Sequence, residues 1–265
     1  MLTLKKVEQS FRRSLRTYDQ HAFVQLEIAE TLAKILIDIT LEEQKFESVF
    51  EFGCGTGFLT KALLKQFKVK YYELNDLVPE CEFSLSGFLN ELPRSQLASW
   101  DFIPGDINHH RIEKSYNLIC STSTLQWVAD IPKLVAKIQQ SLSTNGLFAF
   151  SSFGPHHFQE LKQLNQILDN QITSLNYLTE TQWKDILADG YEVEKLSSNK
   201  ITLWFDCFQD LLMHLRKTGV NGNSRMQWSQ AKLKIFAEQY QDKFMKNGKI
   251  PLSYEPVYGV AKSLR

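Results

Sequence analysis

The stretch VFEFGCGTGFLTKALLKQF, residues 49–67, sets three glycines at alternate positions between a short apolar run and an amphipathic one. Residues 48–52 read as a buried strand and 58–67 as a helix. Glycine tolerates positive φ and has no side chain, so the turn can be tight and a ligand can approach its backbone. The helix beyond offers free N–H groups and the positive end of its dipole. A strand, glycine loop and helix in this order belong to an open α/β sheet. Ligands of such sheets gather at the carboxyl ends of the strands, where the strand order reverses. Gly53, Gly55 and Gly57 therefore point to a site for a nucleotide-like cofactor.

The neighbouring sequence supports that sheet. Residues 11–39 repeat apolar side chains at three- and four-residue steps and predict an amphipathic helix. Strands are expected at 69–74, 100–104, 116–121 and 147–153, and helices at 83–91 and 131–141, the last closed by Asn145-Gly146. Alternating strands and helices imply a parallel sheet covered on both faces. After residue 153 the rhythm changes to amphipathic helices. Next come a strand–turn–strand at 191–205, a helix stopped at Gly219, a polar loop at 220–229, a further helix, and a strand-like end around Pro256. Proline there suits an edge or a bulge. One domain is expected over residues 1–265: an N-terminal helical cover (1–45), a cofactor-binding half (46–153), and a helical lid with C-terminal strands (154–265).

The ligand class follows from what surrounds the glycines. The pattern GxxxxGK[ST] is absent, which excludes a nucleoside triphosphate held on a P-loop. The dinucleotide pattern GxGxxG needs glycine where this chain has Phe58. Glu51, at the strand end, would repel a pyrophosphate and would suit a ligand carrying a cationic α-amino group. Asp76 ends the second strand, where a carboxylate accepts hydrogen bonds from ribose hydroxyls; Asn75 and Glu73 stand close enough to be alternatives.

The 265 residues include 30 basic and 30 acidic side chains, so the balance lacks the basic excess of a broad nucleic-acid surface. No apolar run is long enough to span a bilayer, and the N-terminal segment lacks the apolar core of a signal peptide. Cys54, Cys81, Cys120 and Cys207 form no CxxC pair and no metal-ligand spacing with histidine, so they read as buried free thiols. A cytoplasmic monomer without metal, membrane or nucleic acid is the expectation.

The motif E-x-G-x-G-x-G resembles the first motif of the class I S-adenosylmethionine-dependent methyltransferases. That resemblance gives roles to other segments. Asp106 and Ile107, in GDI at 105–107, would meet the adenine ring. Ser121 to Trp127, STSTLQW, would line the methionine and methyl end. Further motifs are similar to one family, the malonyl-[acyl-carrier protein] O-methyltransferases of biotin biosynthesis. They are FRRSLRTYDQHAFVQ, STSTLQWVAD, LFAFSSFGPHHFQEL, LLMHLRKTGVNG and LSYEPVYGVAK, spread over nearly the whole chain. The chain departs from the family at Asn117, where the fourth strand usually carries Asp.

The implied fold is α/β: a doubly wound, Rossmann-like class I methyltransferase sheet with an N-terminal helix and a helical insertion after the fifth strand. The implied reaction methylates the free carboxylate of malonyl-acyl carrier protein, or of malonyl-CoA, with S-adenosyl-L-methionine as cofactor. A carboxylate is already ionised at neutral pH and needs no general base. A cation or hydrogen-bond donor must orient it instead. Arg13 and Tyr18 are candidates because the N-terminal segment can cover the cofactor, which Tyr18 would also touch. Trp127 is a third, and His21, His156 and His157 are further donors. An acidic carrier protein calls for basic partners, supplied by Arg12, Arg16, Arg216, Lys217, Arg225, Lys232 and Lys234. Three other readings compete: a methyltransferase of another small acid, a non-catalytic adaptor of the same fold, and a nicotinamide-dependent reductase.

Overall fold

The structure, a computed structural model, describes residues 4–40, 44–167, 175, 177–219 and 230–265. The chain forms two compact units. One contains Phe23–Gly154, Leu178–Ser198 and Pro256–Arg265; the other contains Met1–Ala22, Pro155–Tyr177 and Asn199–Glu255. The expected helix at 11–39 is two helices, α1 (Leu4–His21) and α2 (Phe23–Thr40), and the chain changes unit between them.

The larger unit is built on a seven-stranded sheet. Its strands are β1 (Lys45–Phe52), β2 (Lys68–Asp76), β3 (Leu97–Pro104), β4 (Tyr116–Ser121), β5 (Leu142–Phe153), β6 (Tyr191–Ser198) and β9 (Pro256–Ser263). Their order is β3-β2-β1-β4-β5-β9-β6. The first five run parallel, and β9 lies antiparallel between β5 and β6. The order reverses between β1 and β4, so the carboxyl end of β1 is the place where such a sheet offers room for a ligand.

Alternate residues of each strand face opposite sides. Phe50 and Phe52 join one core with Ile131, Leu134 and Ile138 of α5 (Ile131–Ser141) and Trp183 of α7 (Glu180–Leu187). Glu51, between those phenylalanines, faces α3 (Phe58–Leu64) and bonds to Thr60 there. In β9, Val257 and Ala261 join the first core, whereas Tyr258 faces Thr31 and Glu27 of α2. Helices therefore cover both faces, as a doubly wound sheet requires. Local signals agree: Asp130 caps α5 by accepting from Lys133 N at 3.0 Å, and Thr179 and Gln182 form a reciprocal capping box on α7.

The smaller unit holds α1, α6 (Gln159–Ile167), α8 (Phe208–Lys217), α9 (Gln230–Phe244) and a two-stranded antiparallel sheet, β7 (Ile201–Phe205) with β8 (Ile250–Tyr254). Buried Glu160 of α6 accepts from Ser253 N at 3.0 Å and from Ser253 Oγ at 2.5 Å. Phe208, Phe236 and Tyr240 pack as a ring cluster, and Tyr240 Oη donates to Pro251 O at 2.7 Å.

Three expectations are corrected. The strand–turn–strand at 191–205 is not a hairpin: β6 pairs with β9 and β7 with β8, because the chain changes unit between Ser198 and Asn199. Pro256 is on no edge; it opens β9 opposite Phe153, and a first position asks for no interior N–H. Cys207 is not buried like the other three thiols but half-exposed, donating to Asp210 at 3.2 Å. The polar loop at 220–229 lies outside the described residues. Among the described residues, no helix is long and apolar enough to cross a membrane.

At the fourth-strand departure the asparagine uses both ends of its amide. Asn117 Oδ1 accepts from Ser48 N at 3.1 Å and Ser48 Oγ at 3.2 Å, while its Nδ2 donates to Ser143 Oγ at 3.2 Å. An aspartate could not make the last bond as a donor.

Gly259 of β9 sits under the Phe150 ring, where an added Cβ would lie 2.3 Å from Cζ. That ring packs 4.3 Å from Trp183 and 4.9 Å from Phe148, centroid to centroid, so it has little freedom to withdraw. Gly259→Ala should cost about 2 kcal/mol of stability through overpacking, as read by urea denaturation. A change within about 0.5 kcal/mol would mean that the aromatic stack yields easily.

Candidate active site

The glycines after β1 are glycine for two different reasons. All have positive φ: 65° at Gly53, 54° at Gly55 and 85° at Gly57. A Cβ at Gly53 would fall 2.1 Å from Thr124 Oγ1, and one at Gly57 would fall 2.1 Å from Leu85 Cδ2. A Cβ at Gly55 would meet nothing within 4 Å. The outer glycines therefore serve close packing, and the middle one borders open space, a cradle that a side chain would fill.

Asp76, the last residue of β2, holds that loop. Its Oδ2 accepts from Gly55 N at 2.8 Å and its Oδ1 from Val78 N at 2.8 Å. Burial pushes its carboxyl above the ordinary value, against the backbone donors of Val78 and Gly55. Each carboxylate oxygen has a further lone pair to offer a hydroxyl donor. The two alternatives are otherwise engaged. Asn75 Nδ2 donates to Ile103 O at 2.8 Å and Gly105 O at 3.1 Å, and Glu73 Oε2 accepts from Tyr71 Oη at 2.8 Å.

Glu51 is completely buried. Its Oε2 accepts from Tyr72 Oη at 2.6 Å and Thr60 Oγ1 at 2.8 Å, and its Oε1 has no hydrogen-bond partner among the described residues. Burial pushes this carboxyl up to about 7, against the two donors and with help from the nearby Asp76 charge. An acid held this way gains from a cationic or hydrogen-bond-donating partner at Oε1.

At the ends of β3 and β4 the picture is mixed. Asp106 Oδ1 accepts from Asn108 N at 2.9 Å and Nδ2 at 2.7 Å, while its Oδ2 is buried without a hydrogen bond. Ile107 is buried and its side chain belongs to the core. Ser121 Oγ donates to Phe52 O at 2.8 Å, so this hydroxyl ties β4 to the end of β1. Beyond it Ser123 has φ 53°, held by its N–H on Ser151 Oγ at 3.1 Å, and Trp127 sits half-buried on a short 3-10 turn at 125–127.

One end of one sheet thus carries Glu51, the three glycines, Asp76, Asp106, Ile107, Ser121 and Trp127. Arg13 and Tyr18 lie on α1 in the other unit, where Arg13 Nε donates to Gln9 O at 3.1 Å and Tyr18 is half-buried. His156 and His157 belong to that unit too. The first pairs with Glu255 at 2.9 Å; the second is buried against Phe158, Tyr177 and Tyr254, and burial pushes its imidazole well down, keeping it neutral. The sequence reading missed Thr60 and Tyr72, and gave Thr124 only as part of the 121–127 segment. Glu51 plus nine residues carries no periodic signal for Thr60, and cross-strand contacts such as Tyr72 need the register.

The Glu51 carboxyl makes a testable contribution to stability. Its folded value lies above the ordinary 4.5, so the folded chain keeps a proton that the unfolded chain has lost between about pH 4.5 and 7. Stability therefore falls as pH rises through that window. Glu51→Gln should match the wild type at pH 4.5 and exceed it by about 3 kcal/mol at pH 8 in urea denaturation. A pH-independent difference would mean that Glu51 is ionised throughout.

Comparison with known proteins gives the same assignment. A family model described as a methyltransferase domain matches residues 20–196. The malonyl-[acyl-carrier protein] O-methyltransferase of Haemophilus influenzae is 33% identical over 97% of this chain and 94% of its own length. That of Chlorobium phaeovibrioides is 33% identical over 97% and 95%. Solved structures share the fold at low identity. The YcgJ protein of Bacillus subtilis has a TM-score of 0.59 at 15% identity, over 89% of this chain and 99% of its own. The N-methyltransferase NodS of Bradyrhizobium japonicum, in complex with S-adenosyl-L-homocysteine, has 0.54 at 12%, over 98% and 100%. With a strand order that reverses at a glycine-cradled loop, and similarity running almost from end to end, the chain belongs to the methyltransferase-domain proteins and, among them, to the malonyl-[acyl-carrier protein] O-methyltransferase family.

Proposed function

We propose that the protein methylates the free carboxylate of a malonyl group on acyl carrier protein, drawing the methyl from S-adenosyl-L-methionine, at the start of the pimeloyl branch of biotin biosynthesis. The observation that carries the cofactor reading is the fully buried Glu51 with its unmatched Oε1, at the strand end that opens into the Gly55 cradle. The acceptor reading is supported by the end-to-end similarity to relatives of that name.

In this reading Glu51 receives the ligand's α-ammonium, Gly55 lets the methionine part approach the backbone, and Gly53 and Gly57 keep the loop packed. Asp76 accepts from the ribose hydroxyls, Asp106 and Ile107 meet the adenine, and Ser121 and Trp127 border the methyl end. The bound cofactor supplies an electrophilic methyl on a sulfonium. The malonyl carboxylate is already a nucleophile at neutral pH. The residues then have to position it in line and keep water from it. Arg13 and Tyr18 are the donors assigned to orient it, on the chemistry of guanidinium and phenol. The methyl ester removes a negative charge from the chain end.

The carrier protein's acidity is met in the smaller unit. Ser10 Oγ donates to Gly219 O at 2.9 Å and Thr17 Oγ1 to Lys217 O at 3.4 Å, so α1 runs along the end of α8. Exposed Arg12, Arg13, Arg16 and Arg216 and half-exposed Lys217 therefore share a region, with Glu8 pairing Arg12 at 2.8 Å. Lys234 faces Glu238 at 3.9 Å, and Arg225 lies outside the described residues.

Labelled S-adenosyl-L-methionine, incubated with purified protein and malonyl-acyl carrier protein, malonyl-CoA or free malonate, should place a base-labile methyl ester on the carrier protein. Label on malonyl-CoA or malonate alone would redirect the acceptor to a looser thioester or a small acid. No label on any acceptor, in protein that binds the cofactor, would favour the adaptor reading. Gly55→Val should remove S-adenosyl-L-homocysteine binding measured by calorimetry, with a cost in stability of about 1–3 kcal/mol from the left-handed φ. Undiminished affinity in that folded variant would show that the site has been misplaced.

A further inference from the structure

The connection from β3 to β4, residues 105–115, has neither helix nor strand, yet it is pinned from two sides. From α5, Lys137 Nζ donates to Ile107 O at 3.2 Å and also to His110 O. From β2, buried Glu73 accepts from Lys114 Nζ at 3.3 Å and pairs with His110 Nε2 at 3.8 Å, and the His110 ring stacks on Phe50 with centroids 5.4 Å apart. Against the cost of its own burial, the nearby His110, the Tyr71 hydroxyl, the nearby Tyr116 and the Lys114 ammonium hold the Glu73 carboxyl at about 2. Within the segment, Asp106 O accepts from His109 N at 3.0 Å and His110 N at 2.9 Å. Within this pinned segment the Asp106 Oδ2 is left with no hydrogen bond, His109 Nε2 lying 3.8 Å away.

Lys137 costs something to keep. It is only half-exposed, and burial weakens its hold on its proton while the Asp106 charge opposes that loss. A neutral donor would satisfy the same carbonyls without desolvating a charge. What the ammonium adds is attraction to the Asp106 charge, which draws the lysine and the acid's segment together. A carboxylate is an acceptor only; it accepts from a 6-amino purine and repels a 6-oxo purine.

We propose that Lys137 is a positioning residue for recognition of the purine base: by fixing the carbonyls of Ile107 and His110, and by its charge, it sets Asp106 Oδ2 as an acceptor for the exocyclic amino group. The proposal rests on the reading of Asp106 as the base contact. Lys137 itself touches no part of the ligand.

The test is calorimetric binding of S-adenosylhomocysteine and of its 6-oxo counterpart, S-inosylhomocysteine, to wild type, Lys137→Met and Lys137→Arg. The wild type should prefer the amino compound. Lys137→Met should lower that preference about tenfold, the size of one lost charge-assisted hydrogen bond, and Lys137→Arg should return it to within about threefold of the wild type. A variant that weakens both ligands by the same factor, or neither, overturns the proposal, since a mere prop for the fold would act on both alike. If Lys137→Met fails to fold, Lys137→Gln keeps a donor without the charge, and an unchanged amino-over-oxo ratio in it overturns the proposal as well. A wild type that binds neither compound rejects the cofactor reading itself. A wild type that binds both equally rejects only the role given to Asp106 and Lys137.

Discussion

The hydrogen bond from Gly55 N to Asp76 Oδ2 joins two strand ends that the covalent chain separates by a whole helix. A loop with three residues at positive φ has weak local preferences, and an external acceptor must choose among its conformations. Asp76 does so with one oxygen and fixes the next turn, at Val78, with the other. Glycine contributes absence in two senses here: at positions 53 and 57 no side chain can be accommodated, and at 55 none occupies the opening. The acid, the loop and the open space are one mechanical unit, so losing the Asp76 carboxylate would free two backbone donors at once.

Much of this was legible in the sequence. Residues 116–121 and 131–141 have the expected bounds, because a continuous apolar run and a capped amphipathic repeat carry their own punctuation. The glycine loop and Asp76 were found because a strand end, a turn and a helix start lie within a short window. The side chains that complete Glu51 were not found, since Thr60 and Tyr72 reach it through tertiary packing and strand register. Lys137 was invisible for the same reason: on the helix repeat it is an ordinary polar position, and only the folded β3–β4 connection gives its ammonium two carbonyls.

The C-terminal third was harder to read because its short connections join partners that do not pair. Two residues part β6 from β7, and one parts β8 from β9, yet each pairs with a strand from the other couple. Hairpin logic rests on nearness in sequence, and here the unit changes intervene. The N-terminal segment behaves similarly, with one repeat of apolar side chains shared by two helices of different units.

Glu51 has one more consequence. Burial lifts this carboxyl to about 7, so its protonated form is populated near neutral pH. A ligand whose ammonium settles against Oε1 drives that proton out. In the proposed reading the molecule exchanges a proton for the ligand's positive charge at a buried point. The heat measured on mixing then contains the ionisation heat of whichever buffer takes up the released proton. The same ligand would look more or less exothermic in phosphate than in Tris, although the contacts in the complex are identical.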